Sequence, residues 1–237
     1  MKEQLIILDG DGTTSRAANP FLEVAKRLGC FDEVSFHAEE YLRQRISYRE
    51  LIARQNPVFH HYGRLFAREN GYESLNRGLF AKVLQSAIGP IEVLPETQRL
   101  IDWVKTAGPN LAIISSGWDA ITRRTALLAG VSHWESNRIL FEHDEFCGTE
   151  LMISGDKIAA CTRLARIMNV NIDLVVYIGD SDFDHPIMDF VRHRGGQVWM
   201  RLTAGPQSES LSSLSPSWLM SSSFDEVAGI LGFEHAA

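Results

Sequence analysis

The sequence predicts an α/β protein, a parallel sheet with a block of helices inserted after its first strand. Three observations predict it. Short apolar runs at 5–8, 111–114 and 174–178 each stop abruptly at small polar or acidic residues, as buried parallel strands do. Between the first and second run, residues from about 15 to about 92 carry only helical spacing. From Leu94 onward, strand and helix patterns alternate to the end of the chain.

Taken in order, residues 1–14 hold the first strand and an Asp/Gly turn. Helical spacing follows in Phe21, Val24, Ala25 and Leu28, then Tyr41, Leu42 and Ile46, then Leu51 and Ile52. It continues in Leu65 and Phe66, then Leu79, Val83 and Leu84, with Gly29, Pro57, Gly71 and Gly89-Pro90 as punctuation. Leu100, Ile101 and Val104 mark a helix before the second strand, and Leu127 and Leu128 one after it. Residues 139–141 and 146–152 read as a small hairpin. Ile158, Cys161, Leu164, Ala165 and Met168 share one helix face. Late strands near 198–202 and 218–220 precede a closing helix over 224–231.

Composition narrows the function classes. A hydrophobic content of 45% supports a substantial core, and 237 residues allow one large or two smaller domains. No apolar stretch approaches the roughly 20 residues that span a bilayer, so no membrane association is expected. The run at 5–8 is too short for a secretory signal. Cys30, Cys147 and Cys161 are odd in number and lack Cys-x-x-Cys spacing, which reads as reduced thiols in a cytoplasmic protein. A formal charge of −7 argues against a nucleic-acid partner. It also requires an anionic ligand to be drawn in locally. Oligomeric state is not legible.

Four strand or helix ends carry chemistry. Asp9 and Asp11 flank Gly10 at the end of the first strand, before Gly12 and Thr13. Alternation along a strand would send both carboxylates to one side, where they repel unless a cation or proton is shared. Ser115, followed by Ser116 and Gly117, ends the second strand, where a hydroxyl and backbone N–H groups suit a phosphate oxygen. Lys157 opens an amphipathic helix although a cation there opposes the helix dipole. Gly179, Asp180 and Asp184 follow the third strand and offer oxygen ligands to a hard divalent cation.

Together these stretches resemble the haloacid dehalogenase-like hydrolase superfamily, most closely its phosphoserine-phosphatase-like branch. The first motif, Asp-x-Asp-x-Thr, is matched by Asp9, Asp11 and Thr13; the motif II hydroxyl by Ser115; the motif III lysine by Lys157. Gly179, Asp180 and Asp184 match Gly-Asp-x-x-x-Asp of motif IV. The resemblance implies a Rossmann-like, doubly wound parallel sheet as catalytic core, residues 1–14 and 93–237. The helical block, 15–92, would then be an inserted all-helical cap domain. About forty residues between motifs II and III leave no room for a full second cap.

The resemblance also implies a mechanism. Asp9 would attack phosphorus and form an aspartyl-phosphate, and Asp11 would act as general acid and then base. Mg2+ would be held by Asp9, the Asp11 backbone carbonyl and Asp180, with Asp184 orienting either the metal's water shell or Lys157. Ser115, Ser116, Gly117 and Lys157 would bind the phosphoryl group. Carboxylate crowding should raise the pKa of Asp11. The second aspartate separates this chain from dehalogenases, and Lys26 and Lys82, the only cap lysines, sit in no recognisable context for phosphonate cleavage.

The expected activity is therefore Mg2+-dependent hydrolysis of a small phosphorylated metabolite. Phosphoserine hydrolysis, phosphotransfer or mutase chemistry, and a non-catalytic binding role remain the alternatives. Two departures bear on substrate. Gly10 stands where relatives usually carry a bulky residue. The segment from Arg16 to Pro20 contains no acid to hold a substrate ammonium, which weighs against L-phosphoserine. Arg16 and Arg54 are candidate contacts to a second anionic group, against the ordinary reading of solvated arginines. His60 and His61 cannot share a helix face, so one packed and one exposed histidine is expected. Trp118 reads equally as a pocket-mouth residue or a packed aromatic.

Overall fold

The structure is a computed structural model describing residues 4–16, 19–201 and 219–221. Strand β1 (Leu5–Asp9) is buried along its whole length, as a two-sided apolar strand must be. Four helices follow: α1 (Pro20–Leu28), α2 (Phe31–Leu42), α3 (Tyr48–Glu69) and α4 (Arg77–Ile88). Then come α5 (Pro95–Ala107), β2 (Asn110–Trp118), α6 (Asp119–Ala129), β3 (His133–Glu142) and β4 (Glu145–Glu150). The remaining elements are α7 (Ile158–Ile167), β5 (Val175–Gly179), α8 (His185–His193), β6 (Gln197–Arg201) and β7 (Leu219–Ser221).

The strands form one seven-stranded sheet in the order β4-β3-β2-β1-β5-β6-β7. Neighbours are parallel except β3 and β4. From β1 the chain winds outward through β2 to β3, then crosses back to β5 and winds the other way. The strand order therefore reverses between β1 and β5, the switch point at which open α/β sheets bind ligands. Alternation of side chains sorts the core into two layers. Leu5 and Ile7 pack with Cys161 and Leu164 of α7 and Ile187 and Val191 of α8. Ile6 and Leu8 pack on the other face with Ile101 and Val104 of α5 and Ala126 of α6.

The inserted helices have clear local causes. Asn19 caps α1 through its side chain, Pro20 supplies a preset first residue, and Gly29 ends the helix with φ 82°. Ser47 and Glu50 form a reciprocal capping box on α3. Leu51, Gln55, Phe59, Gly63 and Ala67 then recur every fourth residue as its buried stripe. Phe59, Phe80 and Leu75 of the insertion close a third apolar cluster with Trp118, Ile121 and Phe146. Trp118 is thus a packed aromatic, its rim met by Phe59, Phe80 and Phe146 at centroid distances of 5.7–6.0 Å.

Several sequence expectations change. Pro57 does not punctuate the helices; it lies inside the 22-residue α3. The loss of one backbone hydrogen bond there is outweighed by the capping box and the long buried stripe. The hairpin is larger than 139–141 suggested. The first half of β3 pairs in parallel with β2 and its second half antiparallel with β4. The polar residues His133, Glu135, Asn137 and Arg138 concealed that strand from an apolar pattern. The closing helix expected over 224–231 lies outside the described residues.

Because Phe59 is fully buried between Trp118 and Phe146, Phe59→Ala should cost about 3–5 kcal/mol of stability. Urea unfolding of the two proteins measures this. Leu127→Ala, at a side chain 69% exposed, should shift stability by no more than about 0.5 kcal/mol.

Candidate active site

A cavity of about 240 Å³ opens at the carboxyl ends of β1 and β5. Asp9, Asp11, Ser115, Lys157 and Asp180 line one side, and the inserted helices the other. The turn after β1 is tight: the Gly10 carbonyl accepts from the N–H groups of both Thr14 and Ser15 at 2.9 Å. Thr14 Oγ1 donates back to the Asp9 carbonyl at 2.5 Å. Thr13 Oγ1 donates to Asp180 Oδ1 at 2.7 Å, tying the end of β1 to the end of β5.

Two glycines make this approach possible. A Cβ on Gly10 would sit 2.7 Å from Ser115 Cβ, so the bulky residue usual in relatives has no room here. Gly12 has φ +86°, and a Cβ on it would meet Asp180 Oδ2 at 2.3 Å.

Lys157 is the N-cap of α7 in the left-handed region at φ 58°, rare for a long side chain. The side chain, 2% exposed, turns inward. Its ammonium donates to Asp9 Oδ1, to Asp184 Oδ1 at 2.6 Å and to Tyr177 Oη at 3.3 Å. Tyr177 Oη donates to the same Asp184 oxygen at 2.6 Å. The other oxygen, Asp184 Oδ2, accepts from the Asp180 and Ser181 N–H groups at 3.1 and 3.2 Å. Asp184 thus orients Lys157 and the turn after β5.

Burial and charge divide the acids. Burial raises Asp9 well above the ordinary carboxylate range, and the neighbouring Lys157 opposes this only in part. Burial also pushes Asp11 up to about 6, against the hydrogen bond from Ser115 Oγ at 3.2 Å. The direction for Asp11 is the one expected from sequence, but its cause is desolvation, not carboxylate crowding. Asp184 stays below its usual value because Lys157 overcomes the effect of burial. Burial works against the charge of Lys157, yet Asp184 and Asp9 lift it above the normal lysine value. The ammonium is therefore protonated at any ordinary pH.

Carboxylate oxygens of Asp9, Asp180 and Asp184 lie within 4.8 Å of one another. Such a hard, anionic oxygen set suits Mg2+. The Asp11 side chain is not part of this set; it faces Ser115. Ser116 and Gly117 line the cavity, but the Gly117 N–H donates to Ser115 Oγ at 2.9 Å. Arg16 and Arg54 are not brought to the cavity. Arg16 is 71% exposed and reaches Glu92 at 3.9 Å. Arg54 is exposed on α3 and does not line the cavity, although its neighbours Leu51, Ile52 and Gln55 do. His60 is half-buried, 3.5 Å from Glu145, and His61 is exposed.

Sequence reasoning missed the residues that brace the site. Tyr48, at the start of α3, donates to the Ser116 carbonyl at 3.0 Å. Asn137 of β3 donates to the same carbonyl at 2.9 Å and to Tyr48 Oη at 3.2 Å. Its own side-chain oxygen accepts from the Met152 and Ile153 N–H groups. Tyr177 was detectable as the single polar-tipped residue in an aliphatic strand. Asn137, inside a polar run, gave no signal.

Comparison with known proteins agrees with this geometry. The haloacid dehalogenase-like hydrolase family model matches residues 7–189. A phosphoserine phosphatase of Archaeoglobus fulgidus is 24% identical over 191 residues, 79% of this chain and 50% of that protein. The chain thus spans about half the length of that curated relative. Among solved structures, a phosphoserine phosphatase captured as a phospho-aspartyl intermediate analogue superposes with a TM-score of 0.69 at 17% identity. That match covers 97% of this chain and 99% of the other. A haloacid dehalogenase family hydrolase from Salmonella enterica serovar Typhi gives 0.71 at 18% identity, over 98% of this chain and 72% of the other. With its motifs gathered at one switch point, the chain belongs to the haloacid dehalogenase-like hydrolase family, in the branch that resembles the phosphoserine phosphatases.

Proposed function

We propose that this chain is a Mg2+-dependent phosphatase that hydrolyses a small phosphomonoester through an aspartyl-phosphate on Asp9. The observation that carries the reading is the division of labour between the two acids after β1. Asp9 is ion-paired to a buried lysine, while the Asp11 side chain faces Ser115, off the carboxylate cluster, with its pKa raised to about 6. A nucleophile must be ionised when it attacks; Lys157 favours that form of Asp9 against the burial that raises its pKa, and a bound Mg2+ would favour it further. A general acid must hold a proton close to neutral pH, and burial raises Asp11 toward that range.

In this mechanism Asp9 Oδ attacks phosphorus in line while Asp11 gives its proton to the departing alcohol oxygen. Asp11, now a base, takes a proton from the water that cleaves the acyl phosphate and frees Asp9. Ser115 holds a phosphoryl oxygen, and Lys157 offsets negative charge gathering beside Asp9. Asp9, Asp180 and the Asp11 backbone carbonyl would hold Mg2+, which supplies charge neutralisation for the phosphoryl oxygens and the carboxylates. Asp184 acts through Lys157 in place of ligating directly. The helical block at 15–92 serves as a cap that walls off the cavity from water. The buried, unpaired cysteines fit a cytoplasmic setting. Among the described residues no helix is long and apolar enough to cross a membrane.

Hydrolysis of p-nitrophenyl phosphate should require Mg2+, stop in excess chelator and return on adding Mg2+ back. Activity that persists in chelator would remove the metal from the reading. Ca2+ should support turnover poorly, because its longer and looser coordination suits the in-line geometry less well.

Asp9→Asn should lower kcat by at least about three orders of magnitude in a protein that still folds, with an unfolding midpoint lowered by the loss of one partner of Lys157. Asp11→Asn should show a defect that depends on the leaving group, large for alkyl phosphates and small for nitrophenyl phosphates. A defect of equal size across leaving groups would overturn the acid assignment.

A further inference from the structure

We propose that the alcohol released at this site is uncharged and compact, so that the cavity takes the phosphomonoester of a neutral, largely apolar alcohol. This rests on the phosphatase reading above and specifies its substrate class. The observation is where the charges lie. Among the described residues, the charged side chains lining the cavity, Asp9, Asp11, Asp180 and Lys157, all belong to the motif turns at its floor. The opposite wall is built by the insertion, from Asn19, Phe21, Tyr48, Leu51, Ile52 and Gln55 among others. Among the described residues, none of that wall is charged.

The floor has nothing to spare for a second ionic group. The Lys157 ammonium is already shared among Asp9, Asp184 and Tyr177. Asp9 and Asp11 are consumed by the reaction, and Asp180 accepts from Thr13 within the metal-ligand set. The cap arginines near this wall in sequence, Arg16, Arg49 and Arg54, are exposed and do not line the cavity. A leaving group bearing an ammonium or a carboxylate would therefore be taken out of water against an uncharged wall, without a counter-ion. That is among the most costly burials a site can impose. A neutral alcohol avoids this cost and gains from the apolar wall.

The polar groups of the wall are neutral and largely committed. Tyr48 Oη is held by Ser116 and Asn137, and the Gln55 amide nitrogen donates to the Val34 carbonyl at 3.1 Å. They can orient a hydroxyl or carbonyl but cannot balance a charge. A cavity of about 240 Å³ also falls below the ~300–1,000 Å³ of sites for drug-sized ligands, which favours a small leaving group.

The test compares kcat/KM of the full-length protein with Mg2+ for four esters of similar size. Butyl phosphate is neutral beyond its phosphoryl group. O-Phosphoethanolamine adds a cation, phosphoglycolate an anion, and O-phospho-L-serine both. Phenyl phosphate serves as the reference for basal turnover. Butyl phosphate should exceed each charged ester by at least about tenfold, chiefly through KM. The electron-withdrawing substituents make the charged alcohols the better leaving groups, so intrinsic reactivity runs against the expected order. A charged ester that matches or exceeds butyl phosphate would overturn the proposal while leaving the phosphatase reading intact. No turnover of phenyl phosphate or any other ester would overturn both.

A second arm uses Ile52→Glu, which installs a carboxylate in the wall. The ratio of O-phosphoethanolamine to butyl phosphate turnover should rise by about tenfold, as for a charge given a partner. An unchanged ratio in a variant that still hydrolyses phenyl phosphate would show that this wall does not meet the leaving group.

Discussion

The Lys157 ammonium is enclosed by protein, and an isolated buried ammonium costs several kcal/mol. It is tolerated because two carboxylates, Asp9 and Asp184, and the Tyr177 hydroxyl meet it within hydrogen-bond range. The partners come from different parts of the fold: Asp9 from the end of β1, Asp184 from the turn after β5, and Lys157 from the start of α7. Satisfying one charge thus fixes three chain segments against each other. Removing one partner would leave an uncompensated buried charge, at a cost of about 3–5 kcal/mol. The left-handed backbone at Lys157 is part of the same constraint, because a lysine continuing α7 normally would point its side chain along the helix surface.

The inserted helices are keyed to this centre from several sides. Tyr48 reaches from α3 to the Ser116 carbonyl, next to the hydroxyl that faces Asp11. Tyr41 of α2 stacks on Phe183, which follows Asp180, at a centroid distance of 5.4 Å. Asn56 exchanges two hydrogen bonds of 2.8 Å with the Thr149 backbone of β4. Below them, Trp118 and Phe146 of the sheet join the apolar cluster of the insertion. The hairpin of β3 and β4 is therefore a shared wall, bonded to the sheet on one edge and to the insertion on its face.

Electrostatically, the site gathers acids in a chain that already carries a formal charge of −7. Burial separates their roles. Asp184 is held ionised by Lys157, while Asp11, facing a serine hydroxyl, retains a proton more readily. Groups of one chemical type are thereby biased toward distinct protonation states around one site. A divalent cation on the Asp9–Asp180 side would complete the balance and draw an anionic ester inward.

The sequence by itself determined the apolar strands of the sheet, the helical insertion and the motif residues at the strand ends. Each is written locally: apolar runs cut off by Asp, Ser or Gly-Asp, and helical spacing between caps. It could not determine that Pro57 lies within a helix or that polar residues from His133 to Arg138 form a core-sheet strand. In both cases long-range packing overrides a local signal. It could not exclude Arg16 and Arg54 from the site, since the exposure of Arg16 depends on how the segment after β1 meets Glu92 and that of Arg54 on which face of α3 meets the sheet. Nor could it reveal Tyr48, Asn137 or the charge-free wall, which exist only once residues far apart in the chain converge. Only the tertiary structure decided that Gly10 is required, because its backbone must pass within contact distance of Ser115, a residue more than a hundred positions away.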